Sequence, residues 1–173
     1  MAGSDAFRAD PGALSVLVVC TGNICRSPMA EAAFRSFLAA SGERIAVRSR
    51  GLAAVPEAAI HPLAVKVCRD RQIEIDADRR AVRLIYPDIQ AADLVLVMER
   101  GQRQTLLRHH PTASGKVHLL GHWQGIEIED PMGGTRAQFE KCLDAICTAA
   151  ASWLASMRKA GMTRESTTGA AGT

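Results

Sequence analysis

Val16-Leu17-Val18-Val19-Cys20-Thr21-Gly22-Asn23-Ile24-Cys25-Arg26-Ser27-Pro28 is the stretch on which the fold turns. An apolar, β-branched run ends in Cys20. A short loop with Gly22 and Asn23 follows, and Arg26 arrives six positions after the cysteine, at a helix start. The backbone N–H groups of such a loop form an anion-binding concavity, and the next helix adds the positive end of its dipole. A thiol at the floor of that cradle should ionise readily, because helix N-termini and nearby cations lower a cysteine pKa. Asn23 is one of the few residue types other than glycine that visits left-handed backbone, which a tight loop beside Gly22 requires. Ser27 can cap the helix, with Pro28 in its first turn. Its hydroxyl can also donate to the Cys20 sulfur. The plainer reading of the same residues is a buried strand-end thiol and a solvated arginine.

Outward from this loop, apolar runs alternate with helical patterns. Leu14 to Cys20 reads as a buried strand, and Pro28 to about Ala40 as a helix with Met29, Ala33, Phe34 and Phe37 on one face. Ile45 to Arg50 is a second strand ended by Gly51, and His61-Pro62 opens a helix carrying Leu63, Val67 and Cys68. Ala92 to Met98 is an almost continuous apolar run, of the kind found in sheets covered on both faces. Arg103 to His109 reads as a helix and Lys116 to Leu120 as a short fourth strand. The last helix is marked by a Thr135/Gln138 capping box and by Phe139, Leu143, Ile146, Ala150, Trp153, Leu154 and Met157 at spacings of three and four. The expectation is an α/β fold in three layers: a four-stranded parallel sheet, helices on both faces and a phosphate-binding loop after the first strand. Ligands in such folds bind at the carboxyl ends of strands, where Cys20 falls.

The 173 residues, 47% apolar and 23% charged, suit one domain over residues 14–160, with disordered tails at 1–13 and 161–173. A net charge of +3, with both signs interspersed, gives no nucleic-acid footprint. No run reaches membrane-spanning length and no secretory leader is evident, so a cytoplasmic location is expected. Five cysteines, an odd number, fit a reducing compartment better than a disulfide framework. His109-His110 and His118/His122 do not make an open metal site, so neither a metal nor another cofactor is expected. Oligomeric state is not legible.

Cys20-Thr-Gly-Asn-Ile-Cys-Arg-Ser-Pro28 resembles the signature of the low-molecular-weight protein tyrosine phosphatases. The resemblance runs from about Leu14 to Met157. It implies hydrolysis of phosphotyrosine through a cysteinyl-phosphate, with Cys20 as nucleophile and Arg26 holding the phosphoryl oxygens in bidentate fashion. The amides of Thr21, Gly22, Asn23, Ile24 and Cys25 would complete the cradle. A general acid is also needed for the phenolate, and Ile126-Glu127-Ile128-Glu129-Asp130-Pro131 offers three carboxylates. Pro131 holds Asp130 extended, and Glu127 and Glu129 would help to keep it protonated. Taken without the cradle, Asp130 would read as a turn residue; in the family an Asp-Pro loop supplies the acid.

Ser49-Arg50-Gly51-Leu52 resembles the family's Ser-Ala-Gly segment, which implies that Ser49 props the loop through Asn23. Arg50 stands where a small residue is usual. Met132-Gly133-Gly134 replaces an aromatic substrate wall, leaving Met132 as a more adaptable one. Ile24 offers apolar surface to an aryl ring, whereas the related protein-arginine phosphatases typically carry threonine there. Relatives pair the cysteines matching Cys20 and Cys25 in a protective disulfide; simple packing is the alternative for Cys25. Val117-His118-Leu119-Leu120-Gly121-His122-Trp123 is similar to the bacterial branch that accompanies capsule and exopolysaccharide tyrosine kinases, which implies such a kinase as partner. An arsenate reductase of the same fold would need two further relay cysteines, and Cys68 has no close partner in sequence. A non-catalytic phosphotyrosine-binding module would need neither Cys20 nor Asp130.

Overall fold

The structure, a computed structural model, describes residues 12–163; most of the two expected tails, residues 1–11 and 164–173, lies outside the described residues. Four strands form one parallel sheet in the order β2-β1-β3-β4: β1 at Leu14–Cys20, β2 at Ile45–Gly51, β3 at Leu94–Val97 and β4 at Val117–Leu119. Because β1 pairs with β2 on one side and β3 on the other, the chain leaves the carboxyl end of β1 at the point where the winding direction switches. Parallel sheets of this kind leave a crevice at that point.

The apolar run of β1 from Val16 to Cys20 has a direct cause in the two cores it faces. Val16, Val18 and Cys20 face a core built with helices α1 (Arg26–Ser41), α2 (Pro62–Asp70) and α5 (Arg136–Lys159). Leu17 and Val19 face a smaller core with α3 (Tyr86–Ala91) and α4 (Arg100–His109). All the apolar α5 positions expected from the periodicity are buried, and the Gln138 side chain accepts from the Thr135 amide at 2.7 Å, in the capping-box arrangement. On α1, Leu38 is buried and Phe37 only partly so, which shifts the apolar face by one residue.

Helix α3 was not legible in the sequence, since six residues with Pro87 near the start carry no measurable period. Its anchor explains Arg50. The Arg50 Nε donates to Asp88 Oδ2 at 3.1 Å, and Asp88 Oδ2 also accepts from the Ile85 amide at 3.2 Å, tying the start of α3 to the end of β2. Gly51 has a separate reason for being glycine. A Cβ there would lie 2.8 Å from the Thr21 carbonyl oxygen and 2.9 Å from the Asn23 amide nitrogen, so only a residue without a side chain lets β2 end against the loop.

Candidate active site

Cys20 is the last residue of β1 and is buried, with its sulfur at the foot of the loop. Two groups reach that sulfur: the Asn23 amide donates to Sγ at 3.2 Å, and Ser27 Oγ lies 3.0 Å away. Since Asn23 Nδ2 donates into Ser27 Oγ at 2.9 Å, the serine hydrogen is free to point at the sulfur, with the Arg50 carbonyl a longer alternative at 3.3 Å. Ser27 does not cap the helix. Helix α1 begins one residue earlier, at Arg26, with Cys25 in the capping position and no side-chain cap. Ser27 therefore sits in the first turn, its hydroxyl committed to the loop. Pro28 follows in that turn, where amides lack intrahelical acceptors in any case.

Asn23 holds the loop in shape. Its φ of 55° is the left-handed conformation expected beside Gly22. All the hydrogen-bonding capacity of its side chain is used: Nδ2 donates to Ser27 Oγ and to Ser49 Oγ (3.0 Å), while Oδ1 accepts from the Val82 amide (2.9 Å) and from Arg79 (3.2 Å). Ser49 passes the chain on by donating to Glu31 Oε2 at 2.8 Å. Glu31, buried on α1, is neutralised by Arg79 and by Arg35. Arg79 also donates to the Ser49 carbonyl at 3.0 Å. A buried carboxylate with two guanidinium partners and a hydroxyl is a satisfied one, so the network is rigid rather than strained.

Arg26 approaches from the other side. One terminal nitrogen donates to Glu99 and to the Ile128 carbonyl (2.9 Å), and the other to Asp130 Oδ2 at 3.0 Å. Burial works against the charge of this guanidinium. The Glu99 hydrogen bond, with the Asp130 and Glu99 carboxylates, outweighs that and raises its pKa above the ordinary value. Asp130 thus stands beside the loop although 104 residues separate it from Arg26 in sequence. Its other oxygen accepts from the Met132 amide at 3.2 Å, an Asx-type turn that aims the carboxyl. The two flanking acids are met by cations, Glu127 by Arg100 (3.4 Å) and Glu129 by Lys141 (3.6 Å).

The remaining predicted residues divide. Thr21 is exposed at the loop and accepts from Gln102 Nε2 at 3.1 Å, and Gly22 and Ile24 are half-buried. The Ile24 side chain lies over Gly22, where a Cβ would be 3.5 Å from Ile24 Cγ1. Met132 stands exposed on a turn closed by the Gly134 amide on the Pro131 carbonyl (2.9 Å), with Gly133 at φ 76°. Cys25 is buried among apolar side chains, which raises the pKa of its thiol. Burial likewise pushes Cys68 and Cys142 up to about 12.

Glu99, Gln102, Glu31 and Arg79 were missed in the sequence. A signal existed for the first two. They follow the apolar run of β3 at a strand's carboxyl end, where such folds gather ligand groups, and Gln102 also accepts from the Met98 amide at 2.8 Å. Arg79 carries no local signal.

Residues 15–163 match the family of low molecular weight phosphotyrosine protein phosphatases. The chain belongs to that family. It is 36% identical over 147 residues to the probable low molecular weight protein-tyrosine-phosphatase EpsP of Ralstonia nicotianae, a match that covers 85% of this chain and 98% of that one. The crystal structure of the tyrosine phosphatase AmsI of Erwinia amylovora superposes with a TM-score of 0.77 at 32% identity, over 83% of this chain and 93% of the other. A protein-arginine-phosphatase of Bacillus subtilis is 31% identical over 136 residues, 77% of this chain and 89% of that protein. Low molecular weight phosphatases that act on two kinds of phosphorylated side chain therefore share this scaffold.

Proposed function

We propose that this low molecular weight phosphatase hydrolyses phosphotyrosine in proteins through a phosphate ester of Cys20. The observation that carries the reading is the convergence on one loop of a sulfur with two hydrogen-bond partners, the Arg26 guanidinium and the Asp130 carboxyl. The substrate dianion enters the loop and takes over from Asp130 one side of Arg26, whose planar fork suits two phosphoryl oxygens. The Cys20 thiolate, supported by Ser27 Oγ and the Asn23 amide, attacks phosphorus in line. The S–P bond forms as the P–O bond to the tyrosyl oxygen breaks, and Asp130, released from Arg26 and protonated, gives its proton to the phenolate. Water then attacks phosphorus. Asp130 takes its proton, the S–P bond breaks, and inorganic phosphate leaves with the thiolate restored. Glu99 keeps Arg26 oriented throughout.

Ile24 favours an aryl substrate over a phosphoguanidinium, since it lays apolar surface over the loop and has no hydroxyl to orient a polar group. The partner we propose is a tyrosine kinase of the same cell, in keeping with the resemblance of Val117-His118-Leu119-Leu120-Gly121-His122-Trp123 to the bacterial branch that accompanies such kinases. A cytoplasmic location fits the five free cysteines and the absence, among the described residues, of a helix long and apolar enough to cross a membrane. The test compares phosphotyrosine and phosphoarginine peptides, with a metal chelator present. Wild type should turn over the phosphotyrosine peptide, Cys20→Ser neither peptide, and Ile24→Thr should shift preference towards phosphoarginine. Unchanged turnover by Cys20→Ser would exclude the mechanism, and a wild-type preference for phosphoarginine would overturn the substrate assignment.

A further inference from the structure

Outside the catalytic loop, the strongest unassigned feature is a groove of about 350 Å³ lined by Arg100, Arg103, Gln104, His118, Leu119 and His122. Two arginines and two histidines converge there, and the carboxylate that meets them is Glu127, at 3.4 Å from Arg100. Arg103 rests its Nε on the Val117 carbonyl at 2.9 Å, which fixes its guanidinium at the groove. Beside these groups stands an aromatic wall. His122 packs edge-on to Trp123 at 4.8 Å and near Trp153 at 5.9 Å, and Trp123 meets Trp153 edge-on at 5.6 Å. Trp153 is fixed by its Nε1 on the Leu120 carbonyl (2.8 Å), while Trp123 is half exposed. His118 has its pKa lowered, chiefly by burial and then by its neighbours His122 and Arg103. An anion in the groove would meet the guanidinium groups of Arg100 and Arg103.

We propose that the groove is a second phosphotyrosine site, taking another phosphorylated tyrosine of the same substrate chain as the one being hydrolysed. The inference rests on the phosphotyrosine reading of the catalytic loop. Its chemistry is that of the groove itself: Arg100, Arg103 and His122 suit a phosphate dianion, and Trp123 offers an indole to the ring that carries it. An aspartate or glutamate would use the first half of this surface and leave the second unused.

The placement sets the spacing. Glu99 and Gln102 point from the start of α4 into the catalytic loop, to Arg26 and Thr21, whereas Arg100 and Arg103 line the groove on the next face of the same helix. A helix with its side chains is about 10–12 Å across and an extended chain advances about 3.3 Å per residue, so the two phosphotyrosines stand roughly three or four residues apart.

Both tryptophans of the chain pack against His122, which lines the groove, so intrinsic fluorescence reports on changes there. Cys20→Ser is titrated with peptides carrying one phosphotyrosine, two at this spacing, or one with glutamate in place of the second. The doubly phosphorylated peptide should bind about tenfold or more tightly than the others and change the tryptophan emission. Arg100→Gln combined with His122→Gln should remove that advantage and leave affinity for the singly phosphorylated peptide as it was. Equal affinity for all three peptides, a glutamate peptide that matches the doubly phosphorylated one, or an advantage that survives in the double variant would overturn the proposal. Failure of the catalytic reading looks different: wild type then turns over no phosphotyrosine peptide at all. Phenyl phosphate still reads the groove in that case, since the emission change it causes must be lost in Arg100→Gln/His122→Gln, and its persistence or absence in wild type and variant alike refutes the site.

Discussion

Asn23→Ala should destabilise the protein by about 3–4 kcal/mol, most of it from hydrogen bonds and the rest from backbone strain. The side chain makes four hydrogen bonds, to Ser27, Ser49, Arg79 and the Val82 amide, and is fully buried. Ser27, Ser49 and Arg79 each keep another partner after the substitution, but the Val82 amide loses its acceptor. At about 0.5–1.5 kcal/mol for each bond, with the higher value for the orphaned amide, the loss comes to about 3 kcal/mol. Holding alanine at a φ of 55° adds about 1 kcal/mol. Urea unfolding followed by far-UV circular dichroism should show the midpoint fall with the slope unchanged. The melting temperature should drop by roughly 10 °C, a large part of the reserve of a domain of this size. Asn23→Gly keeps the left-handed backbone and loses the same four bonds, so it should recover no more than about 1 kcal/mol. If glycine restores most of the stability, the side-chain network is not what holds the loop. If alanine costs less than about 1 kcal/mol, the reasoning fails at its first step.

Asp130→Asn should lower kcat/KM for an alkyl-like, poor leaving group by roughly 10²–10⁴-fold and for p-nitrophenyl phosphate much less; equal losses of kcat/KM on the two esters would take Asp130 out of the acid role. At the far end of α5, Arg158 donates two close hydrogen bonds to Glu43 and holds its carboxyl down at about 2. A carboxyl whose folded pKa is depressed contributes stability above its unfolded pKa and loses it as pH falls through the folded value. Arg158→Ala should therefore cost about 1 kcal/mol at pH 7, after allowance for solvent screening at this rim, and the difference from wild type should close between about pH 4.5 and pH 2. A gap that stays constant over that range in urea titrations would mean that the pair contributes only packing.

The parts of the molecule that were legible in the sequence share a physical reason. β1 could be read because a strand buried on both faces has no polar alternation, and α5 because 24 residues allow its apolar period to repeat over several turns. The loop from Cys20 to Arg26 was legible because its special backbone demands particular residues, Asn23 at positive φ among them. Ser27 shows the limit. A serine before a proline at a helix start satisfies the local rule for a cap, yet its hydroxyl is claimed by the Cys20 sulfur and by Asn23, contacts that depend on how the loop closes. Arg79 and Glu31 lie further still from local rules. Their pairing behind the loop joins residues 48 positions apart, and nothing in either neighbourhood distinguishes them from surface charges. Arg50 was visible as a departure, but its cause, Asp88 on a helix of six residues, was not.

Whether phosphate passes through Cys20 can be read by rapid quench of the enzyme during turnover of a phosphotyrosine peptide, followed by mass spectrometry of the loop peptide. A phosphate adduct should appear on the peptide that contains Cys20, carried by that residue, absent in Cys20→Ser and more abundant in Asp130→Asn with p-nitrophenyl phosphate, where the first step survives and the second lacks its base. An adduct on another residue, or steady turnover with Cys20 never modified, would contradict it.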